Sequence, residues 1–469
     1  MTKIKFGTDG WRAIIALDFT VENVARVTEA TAKWLIKNRK NPSVVVGHDC
    51  RFAGELFADT VVKTFLSLGV KVHQAHGFVS TPMVSLGTVR VKADLGIIIT
   101  ASHNPPSYNG YKIKGHYGGP LAPEQVQEIE DMIPEKAEIG WKNLDLAKSK
   151  SNGELVEIDL ENMYLEHVRA NFDIEGIKNS GMKLAYDAMY GAGQNVIKKL
   201  FPDMVTLHCD HNPGFHGQAP EPIHKNLKEF SELIKSRGDI SCGLATDGDA
   251  DRIGLYDSKG NFVDSHHIIL LLINYLVKYK GMNGKVAVAF STSVRIKNLC
   301  KHYNLPIDVV KIGFKYICSI MVNEDVLVGG EESGGIAIKG HIPERDGIWM
   351  GLTIWEFMAK SGRSLQELID EVYAITGSFF FDRDDLHIDE ELKQRVLVNC
   401  KADTYKSFGE FKVLKTDDLD GFKYFFDENT WMMIRASGTE PVLRVYAEAT
   451  DAATTRKILD AGKKVLLSA

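Results

Sequence analysis

Long apolar runs are missing from this 469-residue chain. The longest, from His267 to Val277, is too short to cross a bilayer and carries Asn274, so it reads as a buried helix and a membrane role is excluded. Cysteines are few: six, at positions 50, 209, 242, 300, 318 and 400, with no C-x-x-C pair. That scatter excludes a disulfide framework and a zinc ribbon, and fits reduced thiols. The opening MTKIKFGTDGWRAII has no apolar signal core, so a cytoplasmic location is expected. Nor is there an excess of either charge: 56 Lys plus Arg against 62 Asp plus Glu leave a net −6, which argues against a broad nucleic-acid face. What remains, 44% hydrophobic and 25% charged, is the balance of a globular chain, and its length suggests about three domains.

The chain repeats one pattern: an apolar strand, a polar turn, then a helical stretch. Val44–Val46 leads into Asp49, Cys50 and Arg51; Lys183–Tyr186 leads into Asp187 and a helix expected over 188–200; Val286–Phe290 leads into Ser291–Ser293 and a helix over 294–303. Strands alternating with helices argue for α/β layers with mostly parallel sheets. Some 40–60 residues after each, a second strand ends in a loop rich in functional groups: 100–105, 247–252 and 329–335. Open α/β sheets bind ligands beyond the carboxyl ends of strands, so three such loops can share a cleft. The polar stretch 135–159 reads as a connection. The last 90 or so residues hold strands at 430–435 and 442–448 and a helix at 451–467, a smaller α+β domain.

Asp247, Asp249 and Asp251 alternate, and in an extended chain they would point one way. Three carboxylates on one face repel unless a hard cation neutralises them, and all-oxygen ligands suit Mg²⁺ or Ca²⁺ better than zinc; a solvated acidic turn is the plain alternative. An EF-hand is excluded, since its sixth and twelfth positions hold Arg252 and Ser258. Ser102, in a loop after the apolar 96–99, reads as a nucleophile or as the cap of an Asn-Pro turn; flanked by Ala101 and His103, it is not a G-x-S-x-G elbow. Glu331, Glu332 and Ser333 among four glycines suit sugar hydroxyls or a mobile loop. Arg435, Ser437, Gly438 and Thr439 suit a phosphate or a hairpin turn. Tyr190-Gly-Ala-Gly193 imitates a dinucleotide fingerprint but has Val196 in place of the third glycine.

Taken in order, these motifs resemble the α-D-phosphohexomutase family: Phe6-Gly-Thr-Asp-Gly-Trp-Arg12, Thr100–Pro105 followed by Asn109-Gly-Tyr-Lys112, Asp247–Arg252, Gly330–Ser333 and Arg435–Pro441. The resemblance implies three related α/β/α domains with mixed, mostly parallel sheets and a smaller C-terminal α+β domain around a cleft. The expected boundaries are 1–153, 154–257, 258–372 and 373–469. It implies that Ser102 carries a phosphoryl group and, with Asp247, Asp249 and Asp251, holds Mg²⁺. Glu331, Ser333 and Lys315 would bind the sugar, and Arg435, Ser437, Gly438 and Thr439 the phosphate not being transferred. Arg12, Lys112 and Arg252 would line the transfer site, with Lys112 and His103 as proton-transfer candidates. The implied reaction interconverts hexose 1- and 6-phosphates through a hexose 1,6-bisphosphate, which also serves as activator. The partner would be a small phosphosugar bound by a monomer or homodimer, without nucleic acid or membrane. Gly335 and Phe314 stand where some relatives have histidine, and Glu331-Glu332-Ser333 is similar to glucose-type members, so glucose is the expected hexose. Phosphomannomutase and phosphoglucosamine mutase are the alternatives, then a Mg²⁺-dependent phosphatase; a non-catalytic phosphosugar-binding protein would lack the serine or an aspartate. Gly438 replaces an asparagine of many relatives.

Overall fold

The computed structural model describes residues 3–436 and 442–468. The chain forms two bodies, residues 1–284 with 313–368, and residues 285–312 with 369–469. In the first body, strands β1 (Trp11–Ile14), β2 (Ser43–His48), β3 (Lys71–Ala75), β4 (Leu95–Ile99), β5 (Tyr108–Gly115) and β6 (Leu155–Ile158) form one sheet in the order β1-β5-β4-β2-β3-β6. β1, β2, β3, β4 and β6 all run one way, and only β5, between β1 and β4, runs against them. Every residue of β4 is buried, as expected of a continuous apolar run between two helical layers. The stretch 135–159 is therefore more than a connection, because its last residues supply edge strand β6. That strand's Leu155 joins the core built on Val44, Val46, Ile97 and Ile99.

A second sheet holds β7 (Leu184–Asp187), β8 (Val205–Leu207), β9 (Cys242–Thr246), β10 (Ile253–Tyr256) and β11 (Phe262–Val263), ordered β11-β10-β9-β7-β8. The helix expected from residue 188 begins only at Gln194. Met189 (φ 47°) and Tyr190 (φ 59°) are left-handed, which no helix accommodates, so 188–193 is a turn. The apolar run at 267–277 is helical as expected, Ser265–Asn274 passing into one π-helical turn, Tyr275–Tyr279.

The threefold repeat is visible in register. β4 turns into antiparallel β5 (Ile99 opposite Tyr111), β9 into antiparallel β10 (Thr246 opposite Ile253), and Val326–Gly330 into antiparallel Ile336–Ile338 (Gly330 opposite Ile336). Each polar loop found in the sequence is the connection of one such hairpin. All three occupy the same topological place, at the carboxyl end of an apolar strand.

In the second body, Lys285–Ala289 and Ile307–Val310 pair in parallel around the helix Arg295–Tyr303. Its five-stranded sheet, which includes Phe380–His387, Trp431–Ala436 and Val442–Ala449, is antiparallel throughout, and helix Ala452–Leu467 packs Ile458, Leu459 and Leu466 into its core. The C-terminal elements thus form as the sequence predicts.

Candidate functional site

Ser102 is fully buried and left-handed, with φ 52°. A β-carbon makes that conformation unfavourable, so neighbours must hold it. The Thr100 hydroxyl accepts from the Ser102 N–H (2.9 Å) and donates to Asp49 (2.5 Å). Arg51, itself buried, donates to three carbonyls of the same loop and to the first of β5: Ser102 and Asn104 at 2.6 Å, Pro105 at 2.9 Å and Tyr108 at 3.1 Å. The Ser102 hydroxyl then donates to Asp247 Oδ2 at 2.7 Å and lies 3.3 Å from His103 Nδ1.

Asp247, Asp249 and Asp251 are wholly buried and offer oxygens all within 4.8 Å of one another. Their convergence differs in cause from the extended alternation expected. The segment is a tight turn, with Ala250 N–H donating to the Asp247 carbonyl (3.0 Å) and Ala250 left-handed at φ 57°. Gly248 is required there, since a β-carbon would meet the Ser102 carbonyl at 2.5 Å. Oδ1 of Asp249 and of Asp251 is buried without a hydrogen-bond donor. Orphaned anionic oxygens are costly, and a hard divalent cation is the group this donor set fits. Burial, then the Asp249 and Asp251 charges, hold the Asp247 carboxyl well above the usual carboxylate range.

The other oxygens of the triplet face cations. Lys112 Nζ, on β5, lies 2.7 Å from Asp249, 3.0 Å from Asp251 and 2.8 Å from Asp9. Arg345 pairs with Asp251 at 2.6 Å and also with Asp9. Burial opposes the Lys112 charge, but the Asp249, Asp251 and Asp9 carboxylates outweigh it and raise its pKa. Burial likewise disfavours the Asp9 charge, yet Arg345, Lys112 and Lys114 hold that carboxyl well below its ordinary value. Arg12 donates to Asn104 Oδ1 at 2.7 Å on the serine loop. Arg252 donates its N–H to Asp247 Oδ1 (3.0 Å), and its guanidinium lies 3.7 Å from Glu221. Enclosure, followed by the Arg252 and Arg12 charges, pushes His103 well below the usual imidazole range, so its ring is neutral near pH 7.

The loop after Val326–Gly330 is a closed turn, with Glu331 N–H donating to the Gly335 carbonyl (3.0 Å). It docks on the acidic loop: Ile253 N–H donates to the Gly334 carbonyl at 3.1 Å, and a β-carbon on Gly334 would meet the Ile253 carbonyl at 2.6 Å. Glu331 is buried, accepts from the Gly313 N–H (2.8 Å), and is pushed up to about 7 by burial. Ser333 beside it is half-buried. Lys315 is the second residue of the helix Phe314–Asn323 and borders, with Thr8 and Asp9, a cavity of about 170 Å³. In the second body Arg435 lies 3.5 Å from Asp420, while Ser437, Gly438 and Thr439 lie outside the described residues.

Within the first body the structure therefore gathers the serine loop, the acidic loop, Lys112, Arg12 and Arg252, with the Glu331 turn seated on the acidic loop. Sequence reasoning passed over Asp9, Asp49, Arg51, Thr81, Glu344 and Arg345. Thr81 donates to Asp249 at 2.5 Å, and Glu344 holds Lys114 at 2.6 Å. One signal was available for Asp49 and Arg51: they follow β2, the neighbour of β4, at the same carboxyl edge.

Residues 3–139, 162–260, 264–375 and 397–463 match, in order, the families described as phosphoglucomutase/phosphomannomutase α/β/α domains I, II and III and C-terminal domain. A phosphoglucomutase/phosphomannomutase of Thermococcus kodakarensis is 31% identical over 98% of each chain. A phosphoglucosamine/phosphogalactosamine mutase of Sulfurisphaera tokodaii is 29% identical, again over 98% of each. A solved structure from Thermus thermophilus, provisionally described as a phosphomannomutase, superposes with a TM-score of 0.87 at 32% identity, covering 99% of both chains. The buried serine beside an aspartate triplet thus lies in a chain with a full set of matching domains, and the chain belongs to the phosphoglucomutase/phosphomannomutase family, as an enzyme of the phosphohexomutase type.

Proposed function

We propose that the enzyme interconverts hexose 1-phosphate and hexose 6-phosphate through a phosphoserine at Ser102 and a hexose 1,6-bisphosphate intermediate, with glucose as the preferred hexose. One observation carries the reading: the buried Ser102 hydroxyl sits 2.7 Å from Asp247, at the head of three converging carboxylates. Asp247, Asp249, Asp251 and the Ser102 phosphoryl oxygen would hold Mg²⁺, which supplies charge neutralisation when bound. Arg12, Lys112 and Arg252 serve the transferring phosphoryl group, whose transition state needs alignment and cationic partners. Neutral His103 accepts the proton leaving the sugar hydroxyl. Glu331, Ser333 and Lys315 orient the sugar. The distal phosphate is assigned, from the sequence motif, to Arg435, Ser437, Gly438 and Thr439.

The choice of hexose rests on Glu331-Glu332-Ser333 and on the absence of histidine at positions 314 and 335. The second reading, a phosphomannomutase or phosphoglucosamine mutase, has comparable support in the names of the relatives above. A coupled assay of glucose 1-phosphate, mannose 1-phosphate and glucosamine 1-phosphate, primed with the matching bisphosphate, separates the readings. Fastest turnover on glucose 1-phosphate supports the first. Inorganic phosphate without an isomerised product would remove both.

Glu331 accepts sugar hydroxyls most strongly as a carboxylate, since protonation turns one oxygen into a donor and leaves only weaker, neutral acceptors. Burial raises its pKa to about 7, so it is ionised above that pH and protonated below. The KM for hexose 1-phosphate is therefore expected to rise as pH falls from 8 to 6, with Glu331→Gln giving a high KM that no longer varies. Parallel pH profiles for wild type and variant would refute this role.

A further inference from the structure

We infer that Arg51 is a positioning residue for phosphoryl transfer, and that Phe215, from the next domain match, locks it in place. The inference rests on the phosphoserine reading of Ser102. The carbonyls of Ser102, Asn104 and Pro105 belong to the loop between β4 and β5, and Tyr108 opens β5 beyond the β4–β5 ladder, which reaches only Tyr111, so β4 satisfies none of them. One planar guanidinium satisfies all four, at 2.6–3.1 Å. Its Nε lies 3.5 Å from Asp49, which also receives the Thr100 hydroxyl that bonds the Ser102 N–H. Arg51 and Asp49 thus grip both sides of the left-handed Ser102 peptide.

The face of the guanidinium is covered by Phe215, whose ring centre lies 4.9 Å from Cζ. Phe215 is buried and left-handed (φ 45°), its exposed neighbour His216 is left-handed too (φ 48°), and both border a cavity of about 450 Å³. No catalytic group proposed above lines that cavity. The observed contact of Phe215 with the serine loop's support is the one to Arg51.

A reacting hydroxyl must be placed to within a fraction of an ångström, and a 1 Å error costs on the order of 10²-fold in rate. A lysine ammonium keeps the charge but lacks the fork that spans four carbonyls. The test uses full-length wild type, Arg51→Lys and Phe215→Leu. Each is labelled on Ser102 with radioactive hexose 1,6-bisphosphate and mixed with hexose 1-phosphate in a single turnover. Arg51→Lys is expected to transfer label on the order of 100-fold more slowly, with KM for the sugar phosphate within about threefold of wild type. Phe215→Leu, which spares every hydrogen bond, is expected to slow the same step roughly fivefold, and it decides the matter if Arg51→Lys does not fold. Wild-type transfer rates in the variants, or losses confined to KM or to thermal stability, overturn the role of Arg51. Wild-type protein that takes up no label on Ser102 overturns the phosphoserine reading instead, and this inference with it.

Discussion

Ser102→Ala is expected to reduce hexose phosphate isomerisation by about five orders of magnitude, the scale of deleting a covalent nucleophile. No other hydroxyl can substitute. Thr100 is committed to Asp49 and to the Ser102 N–H, and Thr81 is turned onto Asp249. The substitution is gentle on the fold. Alanine and serine pay the same penalty at φ 52°, and the hydroxyl's hydrogen bonds removed are that to Asp247 and the longer one shared with His103 Nδ1, a loss of about 1–3 kcal/mol. Sugar-phosphate affinity is expected to stay within about fivefold of wild type, because the groups assigned to the sugar lie on other loops and a change of one hydrogen bond is worth about 1 kcal/mol. Intact-mass measurement should find one phosphate on a fraction of the wild-type protein and none on the variant. Turnover above a hundredth of wild type, or a phosphorylated variant, would end the phosphoserine mechanism.

The three functional loops were legible because each lies where an apolar strand gives way to polar residues, and the residues that do chemistry are concentrated there. The repeat was legible for the same reason, although the sequences of the three loops share nothing. The cause of the aspartate convergence was not legible. Alternation in an extended strand and a turn around a left-handed Ala250 predict the same three residues, and only the backbone distinguishes them. The late start of the helix at Gln194 has a similar origin, since nothing about Met189 or Tyr190 as residue types announces positive φ. The cationic frame was hidden for another reason. Arg345 reaches Asp9 across 336 positions and Lys112 reaches Asp249 across 137, so these pairs arise only when the sheets are assembled. Asp9 was in view inside the Phe6–Arg12 motif but without a role of its own. Its purpose emerges once two cations, Lys112 and Arg345, are seen to bridge it to Asp251. Net charge conceals all of this: a chain at −6 overall buries a dense lattice of opposite charges at its site.

Lys112→Met is expected to destabilise the first body by about 3–5 kcal/mol and to reduce turnover at least about 10³-fold. The lysine is buried with three carboxylates around one ammonium, at 2.7, 2.8 and 3.0 Å. Methionine fills much of the same volume, so the loss is electrostatic and not a cavity. It leaves Asp249 with Thr81 as its remaining close donor, and makes Asp251 and Asp9 share Arg345. The sign of the pH dependence follows. In wild type, burial disfavours the Asp249 charge but Lys112 and Thr81 outweigh it and hold its carboxyl far below the ordinary value. That group therefore stabilises the fold above the unfolded carboxylate pKa near 4, and the contribution fades only in strong acid. Without Lys112, burial and the neighbouring carboxylates dominate and the native pKa rises above the unfolded one. The variant then loses stability as pH increases through the raised value. The gap between wild type and Lys112→Met should accordingly be largest near pH 8 and narrow toward pH 5, as read from denaturant midpoints. Added Mg²⁺ should recover part of the stability by neutralising the triplet, yet not the turnover, because the cation that faces the transferring phosphoryl group is still missing. Denaturation gaps equal at both pH values, or turnover rescued by Mg²⁺ alone, would show that Lys112 is a scaffold cation and not part of the transfer site.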